Sequence, residues 1–207
     1  MSNEVKTKVN LDPKYIIKLT VTLFVTCVIV AGLLGGVNAI TADKIAAINW
    51  EKTVEAMKAV VADPDATSFS EALDTTAEME AAAAAYGTLD SVYEVQVDGA
   101  PAGYAIKVVS SGSQGSIEMM VGVDGEGVIT GVSIVSHSET SGIGTKVMGN
   151  EPTASGVGVL SQFEGKSAAD GRLSVGTNVD AISGATVSSK GVTAGVNAAL
   201  AVAAVLG

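Results

Sequence analysis

The chain has 207 residues, with 22 Asp or Glu against 12 Lys or Arg, so its formal net charge at pH 7 is −10. This length allows one domain with its own core plus an appendage. The acidic balance argues against a nucleic-acid-binding protein, which needs a basic stripe to meet phosphates. One histidine and one cysteine, Cys27, also argue against a transition-metal site or a disulfide within the chain, so any redox chemistry needs an organic cofactor.

The first element is an apolar run. Leu19–Ile40 holds 22 residues without a charged side chain, and a transmembrane helix needs about 20 apolar residues. The alternative is a cleaved signal peptide, since Val37-Asn38-Ala39 offers small residues near a cleavage point. The apolar region of a signal peptide usually has ~7–15 residues, which favours a retained helix. The sequence therefore predicts a cytoplasmic N-terminus at 1–18 and a transmembrane helix at 19–41.

The flanking charges predict the orientation of that helix. Residues 1–18 contain four lysines and two acidic residues, whereas residues 19–207 contain 8 basic and 20 acidic residues, a net charge of −12. Because basic residues favour the cytoplasmic side, we expect a single-pass protein of the cell membrane. Everything from about residue 41 onward is then on the outer face.

A helical segment and then a sheet follow. Apolar residues recur at helical spacing over 41–62, Asp63-Pro64-Asp65 ends that helix, and a short helix closes at Gly87, giving a juxtamembrane helical segment at 42–88. Alternating residues and two Asp-Gly turns then predict an antiparallel meander of about four strands at 91–97, 103–110, 116–123 and 128–137.

Residues 159–166 suggest a short helix and turn, and residues 172–176 suggest another strand. The last segment predicts a helix packed on the sheet, because it is too short and too interrupted by glycine to be a convincing second span. The fold class is therefore α+β, with a domain at 89–207 behind a single N-terminal transmembrane helix.

The stretch "DAISGATVSSKGV" at 180–192 immediately precedes the last helix. If the helix starts near Ser188 or Ser189, either serine can be its N-cap. The residues before it then lie at the positive end of the helix dipole, where phosphate binds well. Gly184 and Ala185 have little or no side chain, while Ser183, Thr186 and Ser188 add hydroxyl groups. The alternative is a capped helix after a tight turn, with no ligand.

A second polar stretch, "SHSETSGIGTKV" at 136–147, follows the last strand of the meander. Gly142 and Gly144 allow close approach of the backbone or a positive φ angle. Glu139 and Thr140 offer polar contacts, while a solvated surface loop is the alternative. His137 by itself suggests a structural or exposed histidine rather than a catalytic base.

Together the two stretches resemble the FMN-binding domain of the G subunit of the Rnf complex, the ion-pumping ferredoxin:NAD oxidoreductase. They are also similar to the C subunit of the sodium-pumping NADH:quinone oxidoreductase. That family's D-x-x-[ST]-G-A-[ST] signature corresponds to residues 180–186, and its E-T-P-G-L-G loop corresponds to residues 139–144. Ser141 and Ile143 replace the proline and the leucine. The resemblance covers about residues 91–200.

The resemblance implies an antiparallel-sheet flavin-binding domain that carries FMN covalently, as a phosphoester on Thr186. It implies no catalytic residue, no metal and a separate flavin transferase that uses FAD. The partners it implies are the other membrane, iron–sulfur and flavin subunits of the complex. The cofactor-binding residues expected on this basis are Asp180, Ser183, Gly184, Ala185, Thr186, Ser188, Glu139, Thr140, Gly142, Gly144 and Lys146.

Three functions remain open from the sequence. The first is a non-catalytic redox subunit that relays electrons through its flavin, since the cofactor performs the chemistry and the protein supplies position and electrostatics. The second is a stand-alone, membrane-anchored flavoprotein that passes electrons to an external acceptor. The third is an anchored binding module without redox activity.

Overall fold

A computed structural model describes residues 12–207. The chain forms two units, a first that ends at Asn49 and a second that runs from Trp50 to Gly207. Helix α1 spans Pro13–Ala59 without interruption, so the two helices expected at 19–41 and 41–62 are one. It ends before the Asp63-Pro64-Asp65 sequence. Residues 1–11 of the expected cytoplasmic segment lie outside the described residues.

The second unit is built on a five-stranded sheet in the order β1-β2-β3-β4-β5. Every neighbouring pair is antiparallel, and the four-stranded meander predicted from the sequence is confirmed as β2 to β5. The short edge strand β1 was not predicted. The strands are β1 Thr67–Phe69, β2 Thr88–Val97, β3 Ala100–Ser111, β4 Ser116–Asp124 and β5 Ile129–His137.

The prediction of a strand at 172–176 is wrong. In that segment the structure has only an isolated bridge, between Val175 and Val179. Gly176 has a φ angle of 87°, and its N–H donates to the Val179 carbonyl (2.8 Å). The chain therefore turns back on itself at once, and the apolar alternation here serves a tight turn instead of a sheet.

Three further helices belong to the second unit: α2 Ala77–Ala83, α3 Gly144–Met148 and α4 Thr186–Leu206. Short 3₁₀ helices occur at Ser161–Phe163 and Ala168–Asp170. The first of these confirms the helix and turn expected within 159–166. Helix α3 overlaps the end of the stretch at 136–147, so part of that expected loop is helical.

Among residues 12–207, two helices are long and apolar enough to cross a membrane. The most apolar 18-residue stretch of α1 has a mean hydropathy of 2.4, and none of it is buried. The corresponding stretch of α4 has a mean hydropathy of 1.4, and 67% of it is buried. Helix α4 is the core helix of the second unit, as expected from the sequence, because it packs on β3 and β4 through residues such as Val192, Val196 and Ala199.

The sheet is covered on both faces. Ile106 and Val108 of β3 face the large core that includes α4. Ala105 faces a smaller core with Met57 of α1 and Val60, the residue that follows this helix. Thr130 Oγ1 donates to the Val60 carbonyl (2.6 Å), which fixes the chain against β5. This double cover explains why the strands carry more apolar residues than a sheet with one solvated face.

Candidate functional site

The site is organised around a buried carboxylate just beyond β5. Glu139 is 8% exposed. Its Oε1 accepts hydrogen bonds from the N–H groups of Ser113 (2.6 Å) and Gln114 (3.4 Å), in the turn between β3 and β4. Its Oε2 accepts one from Ser188 Oγ in the first turn of α4 (2.6 Å). One side chain thus joins three segments that are far apart in the sequence.

Two glycines make room for this carboxylate. A Cβ atom on Gly112 would collide with Glu139 Oε1 and with the Ile117 side chain. A Cβ atom on Gly144 would lie 2.5 Å from Glu139 Oε2 and 3.0 Å from Ser188 Oγ. These positions need glycine because the backbone approaches the side chain closely.

The surroundings of Glu139 favour its charged form. Burial by itself raises the pKa of the carboxyl group, but the hydrogen bonds from Ser188, Ser113 and Gln114, with the nearby His137, outweigh burial and bring the pKa below its ordinary value of 4.5. His137 Nδ1 accepts a hydrogen bond from the Glu139 N–H (3.2 Å). At neutral pH the site therefore holds a buried, hydrogen-bonded anion.

Helix α4 begins earlier than the sequence suggested. Its N-cap is Ala185, without a capping side chain, so the prediction that Ser188 or Ser189 caps the helix is wrong. Both hydroxyl groups are used elsewhere: Ser188 donates to Glu139, and Ser189 Oγ donates to the Ala185 carbonyl (3.1 Å). The carboxylate and the helix itself therefore take the hydroxyls that a cap would need.

The beginning of α4 presents free backbone donors. The first helical hydrogen bond runs from Ser189 N to the Ala185 carbonyl (3.0 Å). The N–H groups of Thr186, Val187 and Ser188 precede it, so they have no carbonyl partner within the helix. Thr186 is exposed there, at the first helical position. Together with the helix dipole, these donors form an environment that favours an anion.

The turn before α4 is held at both ends. Gly184 has a φ angle of 81°, and the Ala185 N–H donates to the Ile182 carbonyl (2.9 Å). Asp180 is fixed through its backbone, because the Gln162 side chain donates to its carbonyl (2.9 Å) and accepts from its N–H (2.7 Å). The Asp180 side chain is left at the surface.

A cleft of about 160 Å³ lies between the two stretches. Three segments line it: the turn after β3, the chain from Glu139 to Gly144, and the chain from Gly184 to Ser188. Two of its lining residues are exposed and apolar, Ile143 (51%) and Val187 (57%). The cleft thus combines a buried carboxylate, a helix N-terminus and an apolar rim.

Comparison with known proteins gives the family. The FMN-binding domain family matches residues 112–201, which include all three segments of the cleft. The chain is 34% identical to the G subunit of the Na⁺-translocating ferredoxin:NAD⁺ oxidoreductase complex of Acetobacterium woodii, over 96% of this chain and 97% of that protein. The chain belongs to the family of G subunits of ion-translocating oxidoreductase complexes.

A second relative agrees with this assignment. The G subunit of the ion-translocating oxidoreductase complex of Methanosarcina acetivorans is 32% identical, with 87% of this chain and 90% of that protein covered. Among solved structures, the crystal structure of the C subunit of the Na⁺-translocating NADH-quinone reductase from Parabacteroides distasonis matches with a TM-score of 0.46 and 20% identity. That match covers 78% of this chain and 93% of the other.

In the present chain, the cleft brings together most of the site residues predicted from the sequence. Seven of them line it: Glu139, Thr140, Gly144, Gly184, Ala185, Thr186 and Ser188. Four do not: Asp180, Ser183, Gly142 and Lys146. Gly142 turns the chain with a φ angle of 77°, and its N–H donates to Thr145 Oγ1 (2.8 Å). Lys146 forms an exposed ion pair with Glu151 (4.0 Å).

Three lining residues were missed from the sequence: Ser113, Ile143 and Val187. Ile143 and Val187 are next to predicted site residues in the sequence. Only the structure shows that their exposed apolar side chains lie on the same rim of the cleft. Ser113 belongs to a Ser/Gly turn between two strands. Only the hydrogen bond from its N–H to Glu139 distinguishes it from an ordinary turn residue.

Proposed function

We propose that this chain is an electron-transfer subunit of a membrane-bound, ion-translocating ferredoxin:NAD⁺ oxidoreductase complex. It carries FMN as a phosphoester on Thr186 Oγ. The observation that carries the proposal is the position of Thr186, an exposed hydroxyl residue in the first turn of α4 that lines the same cleft as Glu139. Family membership supplies the complex.

The first turn of α4 suits a phosphate. Free N–H groups and the positive end of the helix dipole stabilise its negative charge. Gly184 and Ala185 add no bulk beyond a methyl group beside the Thr186 hydroxyl. Three hydrogen-bond donors already stabilise the Glu139 carboxylate, so it holds the cleft walls together without competing for the N–H groups of α4.

The cleft is too small to enclose a whole flavin. A volume of about 160 Å³ is below the ~300–1,000 Å³ of usual small-molecule pockets. A cleft of this size would hold the phosphate and the adjoining ribityl chain, with the isoalloxazine ring at its rim. Ile143 and Val187 offer the ring two exposed apolar contacts there. A ring at the rim is accessible to partners, which suits electron transfer.

FMN, when bound, supplies the one- and two-electron chemistry, and the chain's own residues fix its position. We assign Thr186 to attachment, the N–H groups of α4 to the phosphate, and Glu139 with Ser188 to holding the cleft closed. No residue of the site is assigned as a general acid or base. A separate flavin transferase makes the phosphoester by transferring FMN from FAD to the Thr186 hydroxyl, which breaks the pyrophosphate bond and releases AMP. Other membrane, iron–sulfur and flavin subunits are the redox partners.

The test is the intact mass of the chain, purified under denaturing conditions from cells that contain the complex and the transferase. We expect the mass of the chain plus one FMN joined with loss of water. Thr186→Val should give the bare chain. Thr177→Val is the matched control, because Thr177 is an exposed threonine that does not line the cleft, and it should keep the flavin. A bare wild-type mass, or flavin lost in urea, contradicts the proposal.

A further inference from the structure

A second concavity starts where the flavin cleft ends, at Val187. Its first lobe, about 510 Å³, lies between Tyr86, the end of β3 and the exposed side of α4. Its second lobe, about 300 Å³, continues along α4 to Arg172. Tyr86, Lys190 and Ala194 line both lobes. We call the two lobes together the α4 groove.

The charge of the α4 groove is opposite to that of the unit around it. Residues 50–207 contain 19 Asp or Glu and 7 Lys or Arg, yet the residues that line the groove include Lys190, Arg172 and no acidic side chain. Within residues 12–207 no carboxylate forms an ion pair with either cation. The Arg172 guanidinium lies over the Tyr86 ring (5.4 Å). Two cations without counter-ions predict an anionic occupant.

The dimensions suit an extended peptide. The lining residues of α4 run from Val187 to Asn197, a rise of about 15 Å, which matches four or five extended residues at ~3.3 Å each. Gly191 and Ala194 have no side chain larger than a methyl group, so this side of the helix has little bulk.

We propose that the α4 groove docks an acidic, extended segment of another protein of the same complex. Carboxylates of that segment pair with Lys190 and Arg172, and an apolar residue covers Val187. The inference rests on the proposed function for its purpose. Thr186 precedes Lys190 by one helical turn, about 6 Å, so the docked segment lies beside the point where the flavin is attached.

The test uses the purified complex with a photo-crosslinking amino acid at Thr88, an exposed residue of the groove. We expect a crosslink to an Asp- or Glu-containing peptide of another protein of the complex. Lys190→Glu with Arg172→Glu should reduce it about tenfold, since like charges then face each other. Lys190→Arg with Arg172→Lys keeps both positive charges and should give the wild-type amount of crosslink. Lys166→Glu, a single charge reversal of the same kind outside the groove, should leave it unchanged.

Three results overturn the docking proposal: a crosslink indifferent to the double charge reversal, a crosslinked segment without acidic residues, or crosslinks only to a second copy of this chain. The intact mass of the same samples separates this failure from failure of the proposed function. Thr186→Val should lose the flavin and keep the crosslink. A wild-type chain without flavin that still crosslinks contradicts the flavin attachment and leaves docking in place.

Discussion

Ser188 Oγ donates a hydrogen bond to Glu139 Oε2 over 2.6 Å, and so connects two residues 49 positions apart in the chain. Both residues are buried. Each belongs to a different polar stretch, and the cleft exists because this bond, with the two backbone donors of the β3–β4 turn, holds the stretches together.

Removing the Ser188 hydroxyl should destabilise the second unit. Ser188→Ala leaves a buried carboxylate oxygen without its donor, at a cost of about 1–3 kcal/mol in the free energy of unfolding. Ser189→Ala is the matched control. The Ser189 hydroxyl is equally buried, but it donates only to the Ala185 carbonyl within the same helix. Denaturant unfolding followed by the fluorescence of Trp50, the single tryptophan, measures both. Equal losses would mean that the Ser188–Glu139 bond contributes little.

The contribution of Glu139 to stability should depend on pH. Its pKa is lower in the folded chain than the ordinary value of 4.5, so the unfolded chain takes up the proton first as the pH falls. The stabilisation is complete above that value and is lost as the pH falls through the folded pKa. Glu139→Gln should cost about 2 kcal/mol at pH 7. The difference between variant and wild type should shrink below pH 4.5. A difference that stays constant at still lower pH would contradict the lowered pKa.

Gly184→Ala should impair flavin loading more than its backbone strain predicts. Gly184 has a φ angle of 81°, and an added methyl group would strain the turn before Thr186 by roughly 1–2 kcal/mol. Gly156→Ala is the control, because Gly156 has nearly the same φ angle, 82°, and does not line the cleft. The flavin-bearing fraction, measured by intact mass, should fall only in Gly184→Ala. A fall in both variants would indicate general destabilisation.

The second unit should lie on the outer face of the membrane. The lysines before residue 19 favour a cytoplasmic N-terminus, and α1 is the exposed apolar helix suited to a span. Protease added to intact spheroplasts should release a fragment that contains the FMN. Cleavage only in inverted vesicles would reverse the orientation, with a cytoplasmic marker protein as the control for membrane integrity.

Loss of the Thr186 hydroxyl should stop electron transfer without preventing assembly. Thr186→Val is nearly isosteric, and its side chain is exposed at the cleft, so folding should be unaffected. We expect normal subunit stoichiometry with loss of ferredoxin-to-NAD⁺ electron transfer and of ion pumping. Thr186→Ser should retain part of both, since a hydroxyl remains. Full activity in a complex shown to lack this flavin would place the flavin off the main electron path.

Local patterns in the sequence are sufficient for most elements of this protein. Alternating residues and Asp-Gly turns predict β2 to β5, because both signals act over a few residues. Asp98 and Gly99 indeed adopt positive φ angles at the β2–β3 turn. The uncharged run at 19–40 likewise predicts a helix that can cross a membrane, and the sequences at 139–144 and 180–186 mark both walls of the cleft.

Only the tertiary structure decided how those walls meet. Helix α4 begins at Thr186, and Ser188 gives its hydroxyl to Glu139, a partner 49 residues away that no local pattern contains. Ser113 enters the site for the same reason, through its N–H. The α4 groove also has no sequence signal, since Tyr86, Arg172 and Lys190 are distant in the chain. Packing of the sheet against one helix brings these three residues together, and this packing depends on contacts between distant parts of the chain.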